Sequence, residues 1–217
     1  MKILAVDTAT MSCSAAIVAD GLLRAELNTV TSQTHSKHLM GMIHTVCGMS
    51  KLKIAEMDGF AVTIGPGSFT GLRIGISTIK GLAWSLNKPV VGVSSLDAIA
   101  WQCAPSPYPN YCRYRFSGDE LKKEGIEQVA PPDRVFGDIH EPCLFVGNGA
   151  LLYKGKILDE LGESAHFAGW NQHSIQASTV AGLSLARFRH QKTDDVALLV
   201  PQYIRKSDAE LQLSKKS

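Results

Sequence analysis

No stretch of the 217 residues is apolar for long enough to cross a membrane or to form the core of a secretory leader. The apolar run at the start, Ile3 to Val6, ends at Asp7 after a few residues, so a cytosolic protein is expected. A C-x-x-C pair is also missing. The five cysteines, Cys13, Cys47, Cys103, Cys112 and Cys143, are odd in number and widely spaced. That pattern fits reduced, mostly buried thiols and argues against a disulfide framework or a cysteine-built zinc site. Strong charge of either sign is absent as well. The net charge is +2, and Lys215-Lys216 is a basic pair on a polar tail, so no basic stripe marks a dedicated nucleic-acid binder. Finally, there is no internal repeat and no low-complexity tract.

What remains is an ordinary globular composition, 45% hydrophobic and 19% charged, enough to bury a sizeable core. Lys2 to Asp7 reads as a strand. Cys13 to Ala19 and Leu22 to Val30 read as two more, joined by the tight-turn dipeptide Asp20-Gly21. Thr31, Ser32 and Thr34 are candidate caps for a helix whose apolar face is Leu39, Met42, Ile43 and Val46. Asp58 to Ile64 is a further strand. Ser68 can cap a helix running to about Asn87, with Pro89 beyond its end. Val90 to Val93 is strand again, and Ser95 is expected to cap the next helix. Strand-helix-strand-helix-strand order implies parallel pairing through helical crossovers. The first hundred residues therefore predict a mixed sheet, antiparallel at one side and parallel at the other.

The proline-rich stretch Ala104–Asn110 suggests a boundary, giving an N-terminal lobe of residues 1–104 and a C-terminal lobe of 105–217. The second lobe reads less clearly: strands near Tyr111–Phe116 and Pro142–Val146, and a helix opened by Ser178. Ala197–Tyr203 is extended, with Pro201 arguing against a central strand.

Two turns could carry chemistry. Asp7, Thr8 and Thr10 sit at a strand end, where a carboxylate and hydroxyls can hold a hydrated cation and phosphate oxygens. Gly65, Gly67 and Ser68 form a glycine-rich turn into a helix N-terminus, a geometry able to bind an anion. Neither is specific. Ala9 stands where nucleotide-binding D-x-G-T turns have glycine, and the second turn lacks the G-K-[ST] of a P-loop. Both also read as plain strand and helix caps. The histidines form no metal set, since His35, His38 and His44 do not share a helix face with a further ligand.

Several strings together resemble the TsaB (YeaZ) family: KILAVDTAT at Lys2–Thr10, GPGSFTGLRIG at Gly65–Gly75, KGLA at Lys80–Ala83 and VGVSSL at Val91–Leu96. GNGA at Gly147–Ala150 and PQYIR at Pro201–Arg205 add to the likeness, while the family's D-A-R-x-x-x-V-Y strand is missing before Tyr111. The resemblance implies an α/β fold of the actin-like ATPase (ASKHA, ribonuclease H-like) type, with two related lobes, each a mixed sheet with helices, and a last helix packed back on the N-terminal lobe.

It further implies a cytoplasmic, non-catalytic scaffold or activator, acting with TsaD and TsaE in forming N6-threonylcarbamoyladenosine next to the anticodon of tRNAs. TsaD would be its heterodimer partner. The free chain would be a homodimer, and tRNA would be met only through the complex. No cofactor is intrinsic to this picture; ATP or ADP would sit at the complex interface. The alternative is an ATP-binding phosphotransfer or hydrolase enzyme of the same superfamily.

In the family the two helices after the third and fourth strands pair with counterparts in the partner. The resemblance therefore assigns the interface to His35, Leu39, Met42, Ile43 and Val46, and to Leu72, Gly75, Ile76, Ile79 and Ala83. Met40 and Ile74 widen the apolar arc of these helices. Asp7, Thr8, Thr10, Gly65, Gly67 and Ser68 become a vestigial phosphate site. The catalytic relative's H-x-x-x-H metal pair falls here on Ser95 and Ile99, and Ile99 cannot ligate a metal.

Overall fold

A computed structural model describes residues 1–31, 33–103, 114–117, 120–124, 135–137 and 139–203. Strands β1 (Lys2–Asp7), β2 (Ser12–Ala19), β3 (Leu22–Val30), β4 (Gly59–Gly65) and β5 (Val90–Ser94) make one sheet in the order β3-β2-β1-β4-β5. β2 runs antiparallel to β1 and β3, and β4 and β5 run parallel to β1. Asp20 and Gly21 take the paired positive φ of 56° and 76° that a two-residue hairpin needs. β1, β2 and β4 are buried along nearly their whole length, as strands covered on both faces must be.

Helices α1 (Leu39–Ser50) and α2 (Phe69–Leu86) cross over between parallel strands. The right-handed rule places both on one face, where α1 packs on β2 and β3 and α2 on β4 and β1. Helix α3 (Ser95–Trp101) follows β5. The caps depart partly from expectation. Ser68 does cap α2, accepting the Gly71 N–H at 3.2 Å. α1 instead opens from a 3-10 turn at His35–Lys37, and neither Thr34 nor His38 supplies a side-chain cap; Ser32 lies outside the described residues. Ahead of α3 the accepting hydroxyl is Ser94, not Ser95.

Contacts divide the chain into one unit of residues 1–98 with 175–217 and another of 99–174, where the proline stretch had suggested 104/105. In the second unit β6 (Tyr114–Ser117) and β7 (Glu120–Lys123) form a hairpin, and β8 (Cys143–Phe145) pairs in parallel with β9 (Ala165–Phe167). Between β8 and β9 lie α4 (Asn148–Leu152) and α5 (Lys154–Leu161), over a small core of Phe136, Cys143, Phe145, Ala150 and Ile157. The expected strand at Tyr111–Phe116 overlaps β6; residues 111–113 lie outside the described residues.

The last described helix, α6 (Ala177–Arg189), belongs to the first unit and packs on β1, β2, β4 and β5. Ser14 Oγ accepts the Ala177 N–H at 2.9 Å, and Glu26 takes both the N–H and the hydroxyl of Ser178. After α6 the chain returns over the same unit as an irregular strap; the extended run expected from Ala197 is broken by a turn in which the Leu198 and Leu199 N–H groups donate to Asp195 O at 3.1 and 3.0 Å. Asp194 bridges to Val90, Lys80 Nζ donates to the carbonyls of Ala197 and Leu199, and Gln202 N–H reaches Ile64 O at 2.6 Å. The Tyr203 ring then stacks on Phe69. As Pro201 predicts, this segment adds no strand to the sheet.

Candidate functional site

The β1–β2 turn and the N-terminus of α2 meet at the ends of β1 and β4, and the chain fills the space between them with itself. Ser68 N–H, at the opening of α2, donates to Ala9 O at 2.6 Å. Thr8 Oγ1 donates to Gly71 O at 2.7 Å, and Thr10 Oγ1 bonds Ser12 Oγ at 2.8 Å. A Cβ at Gly67 would strike the Ala9 carbonyl, one at Gly71 the Thr8 carbonyl, and one at Gly75 the Thr8 hydroxyl. Those glycines let the β1–β2 turn lie directly on the helix. Gly65, at φ 120°, faces the Gln202 carbonyl of the strap. Thus the expected phosphate residues do converge, and the Ser68 and Gly71 N–H groups and the Thr8 hydroxyl are engaged within the chain. A helix N-terminus binds an anion through free N–H groups, and here the Ser68 N–H holds a carbonyl of the chain itself.

Asp7 has no solvent exposure. Its Oδ1 accepts Thr63 Oγ1 at 2.6 Å and the Ala9 N–H at 3.2 Å, while Oδ2 has no partner. Burial pushes its pKa up to about 7 against the opposing pull of those bonds. Such a carboxyl is only partly ionised near neutral pH, and its full burial leaves no room for a hydrated cation's water shell. Thr63 is a site residue with no local sequence signal. Only the β1–β4 register, which pairs Val6 with Val62, brings it beside Asp7.

The helix pair requires a correction. His35, Leu39, Met42, Ile43, Val46, Leu72, Gly75, Ile76, Ile79 and Ala83 are all buried within this chain. They form the inward stripes, since the most apolar face of each helix covers the sheet. His35 Nε2 lies 2.7 Å from Thr10 O. The faces turned outward are different. Met40 and His44 of α1 are exposed, and a cleft of about 550 Å³ runs from them past Cys47 and Gly48 to Leu82 of α2. Gly41 and Gly48 on α1 and Gly81 on α2 have nothing of their own chain within 4 Å of a would-be Cβ. Met40 and Ile74, which widen the apolar arc in the sequence, are both more accessible than the inward stripes.

Ser95 and Ile99 are buried on α3. Among the described residues no three His, Cys, Asp or Glu side chains are placed to hold a metal ion. Cys13, Cys47, Cys103 and Cys143 are free thiols, and burial raises Cys13 and Cys103 to about 11, with the Asp7 charge a lesser cause at Cys13; Cys112 lies outside the described residues. Among the described residues no helix is long and apolar enough to cross a membrane.

This sheet order, with two helices on one face, a third on the other and a strand-end Asp against a glycine turn, defines an α/β protein of the actin-like ATPase fold. A sequence model of the TsaD family, tRNA N6-adenosine threonylcarbamoyltransferase, matches residues 28–118. The tRNA threonylcarbamoyladenosine biosynthesis protein TsaB of Bacillus subtilis is 32% identical over 225 residues, covering 97% of this chain and 96% of its own. That of Escherichia coli is 38% identical over 100 residues, 46% of this chain and 43% of its own. The YeaZ structure from Pseudomonas aeruginosa, 24% identical, superposes with a TM-score of 0.76 over 93% of this chain and 99% of its own, and shares the fold. The chain belongs to the TsaB family.

Proposed function

We propose that this protein serves the formation of N6-threonylcarbamoyladenosine on tRNA as a cytosolic, non-catalytic subunit, docking onto the catalytic TsaD through the outward faces of α1 and α2. The observation that carries the reading is the bond from Ser68 N–H to Ala9 O. It engages, within the chain, one of the N–H donors that an anion at this helix N-terminus would need. A partner-dependent role fits a chain whose Asp7 is fully buried, with its pKa raised by burial, and whose Ser95 and Ile99 stand where the relative has a histidine pair. ATP or ADP, TsaE and tRNA would then be met in the assembly and not by this chain alone.

The cleft between Met40, His44, Cys47 and Leu82, together with Gly41 and Gly48, supports the choice of surface. An exposed glycine inside a helix costs about 1 kcal/mol against alanine. Nothing in the chain itself makes use of that cost at these positions.

The test is reconstitution. The chain and TsaD of the same organism are purified separately, mixed, and followed by size-exclusion chromatography and by threonylcarbamoyl transfer to tRNA in the presence of TsaE. We expect a stable one-to-one complex, transfer that depends on the chain, and no turnover by the chain alone. Turnover by the isolated chain, or full transfer without it, would refute the proposal.

A further inference from the structure

Resting on the docking reading above, we infer that the α1–α2 face selects a different polypeptide by charge: an apolar helix face rimmed by carboxylates, in preference to a second copy of this chain. Between Glu26 and Asp97 the sequence holds just two carboxylates, Glu56 and Asp58, against Lys37, Lys51, Lys53, Arg73, Lys80 and Lys88. Helices α1 and α2 themselves contain no acidic residue. Both of those carboxylates are already engaged. Glu56 accepts the Lys53 N–H at 2.7 Å and Lys2 Nζ at 3.3 Å, and Asp58 Oδ2 accepts the Lys2 N–H at 2.7 Å. Lys51 and Lys53 are exposed at one end of the cleft, and neither side chain forms a salt bridge among the described residues, although the Lys53 charge helps to lower the pKa of Glu56. The near-neutral total of +2 conceals this local imbalance, because the compensating acids lie elsewhere in the chain.

Two consequences follow from symmetry. A two-fold pairing sets the same patch against itself. Lys51 and Lys53 would then meet like charges, with no free carboxylate on either helix to answer them. A partner with Asp or Glu around its own apolar helices meets no such penalty, and gains both in encounter rate and in discrimination. An RNA occupant is disfavoured by the cleft lining. Met40, Ile43, Cys47, Leu52 and Ile54 offer no aromatic platform for stacking bases.

The experiment measures the affinity of the full chain for TsaD, and its self-association, at about 0.05 M and about 0.5 M salt. We expect the TsaD affinity to fall on the order of tenfold with salt while self-association holds or strengthens. Lys51→Glu/Lys53→Glu should lose roughly tenfold in TsaD affinity and most of the salt dependence. Mixed wild-type and Lys51→Glu/Lys53→Glu chains should pair more tightly than either does with itself. Both lysines are exposed, so the variant should remain folded; Lys51→Ala/Lys53→Ala, which puts no negative charge beside Glu56 or the C-terminus of α1, provides the milder control. If Gly48→Leu weakens the complex but salt and the lysine changes do not, the docking reading stands and the charge inference falls. If wild type forms no complex with TsaD, both fall. If the isolated chain binds tRNA and loses it on lysine reversal, RNA is the occupant and the inference is overturned.

Discussion

The carbonyl of Ala9 accepts the amide hydrogen of Ser68 at 2.6 Å, joining the first turn of the sheet to the first residue before α2. That bond lays the β1–β2 turn on the N-terminus of α2, beside the fully buried Asp7. Four expectations follow from this turn and its surroundings.

Asp7 makes stability depend on pH. Its carboxyl titrates near 7 in the folded chain and near 3.8 when solvated. The folded state therefore binds the proton more tightly, so this stabilisation is complete below about pH 4 and is lost as pH rises through about 7. The difference is at most about 4 kcal/mol. Urea melts from pH 4 to pH 8 should show wild type losing stability over that window relative to Asp7→Asn. Equal slopes for the two proteins would remove Asp7 as the cause. Assembly with TsaD is expected to survive Asp7→Ala.

Gly75 faces its own chain. A side chain there would meet Thr8 Oγ1, which is itself bonded to Gly71 O. Gly75→Leu should cost about 1–3 kcal/mol of monomer stability through overpacking. A melt of the isolated chain at low concentration reads this directly. An unchanged melt with weakened partner binding would instead put Gly75 at the interface.

Gly48 is the contrasting position. Its Cβ would meet nothing in the chain, so Gly48→Leu should hold or raise monomer stability by up to about 1 kcal/mol. Partner affinity should fall by about one to two decades if a helix of TsaD packs there. Isothermal titration of TsaD against both proteins, beside their melts, decides the matter.

Ser14→Ala tests how α6 is held. Ser14 Oγ accepts the Ala177 N–H at 2.9 Å and donates to Leu27 O at 3.3 Å, all within the first unit. Removing it leaves a buried N–H unpaired, at a cost of about 1–3 kcal/mol. Hydrogen exchange should show the first turn of α6 opening before the centre of the sheet. Unchanged protection would mean that the Glu26 bonds to Ser178 are sufficient alone.

Much of this was legible from the residues alone, because local signals report local structure. Apolar β-branched runs, the Asp20-Gly21 turn and Ser68 before an apolar helix each placed an element where it lies, whereas the extended run expected from Ala197 begins as a turn. The strings at Lys2–Thr10 and Gly65–Gly75 were enough to name the family. Other features depend on partners distant in sequence. That Thr63 holds Asp7, that Ala9 closes on Ser68, and that α6 joins the first sheet across some eighty residues follow from strand register and crossover hand, which no local window contains. The helix pair shows the limit most plainly. Periodicity identifies the apolar stripe of Leu39, Met42, Ile43 and Val46, but not what covers it. The sheet buries that stripe, because the largest apolar area goes to the core, and the face left open is the weaker stripe of Met40, His44 and Gly48.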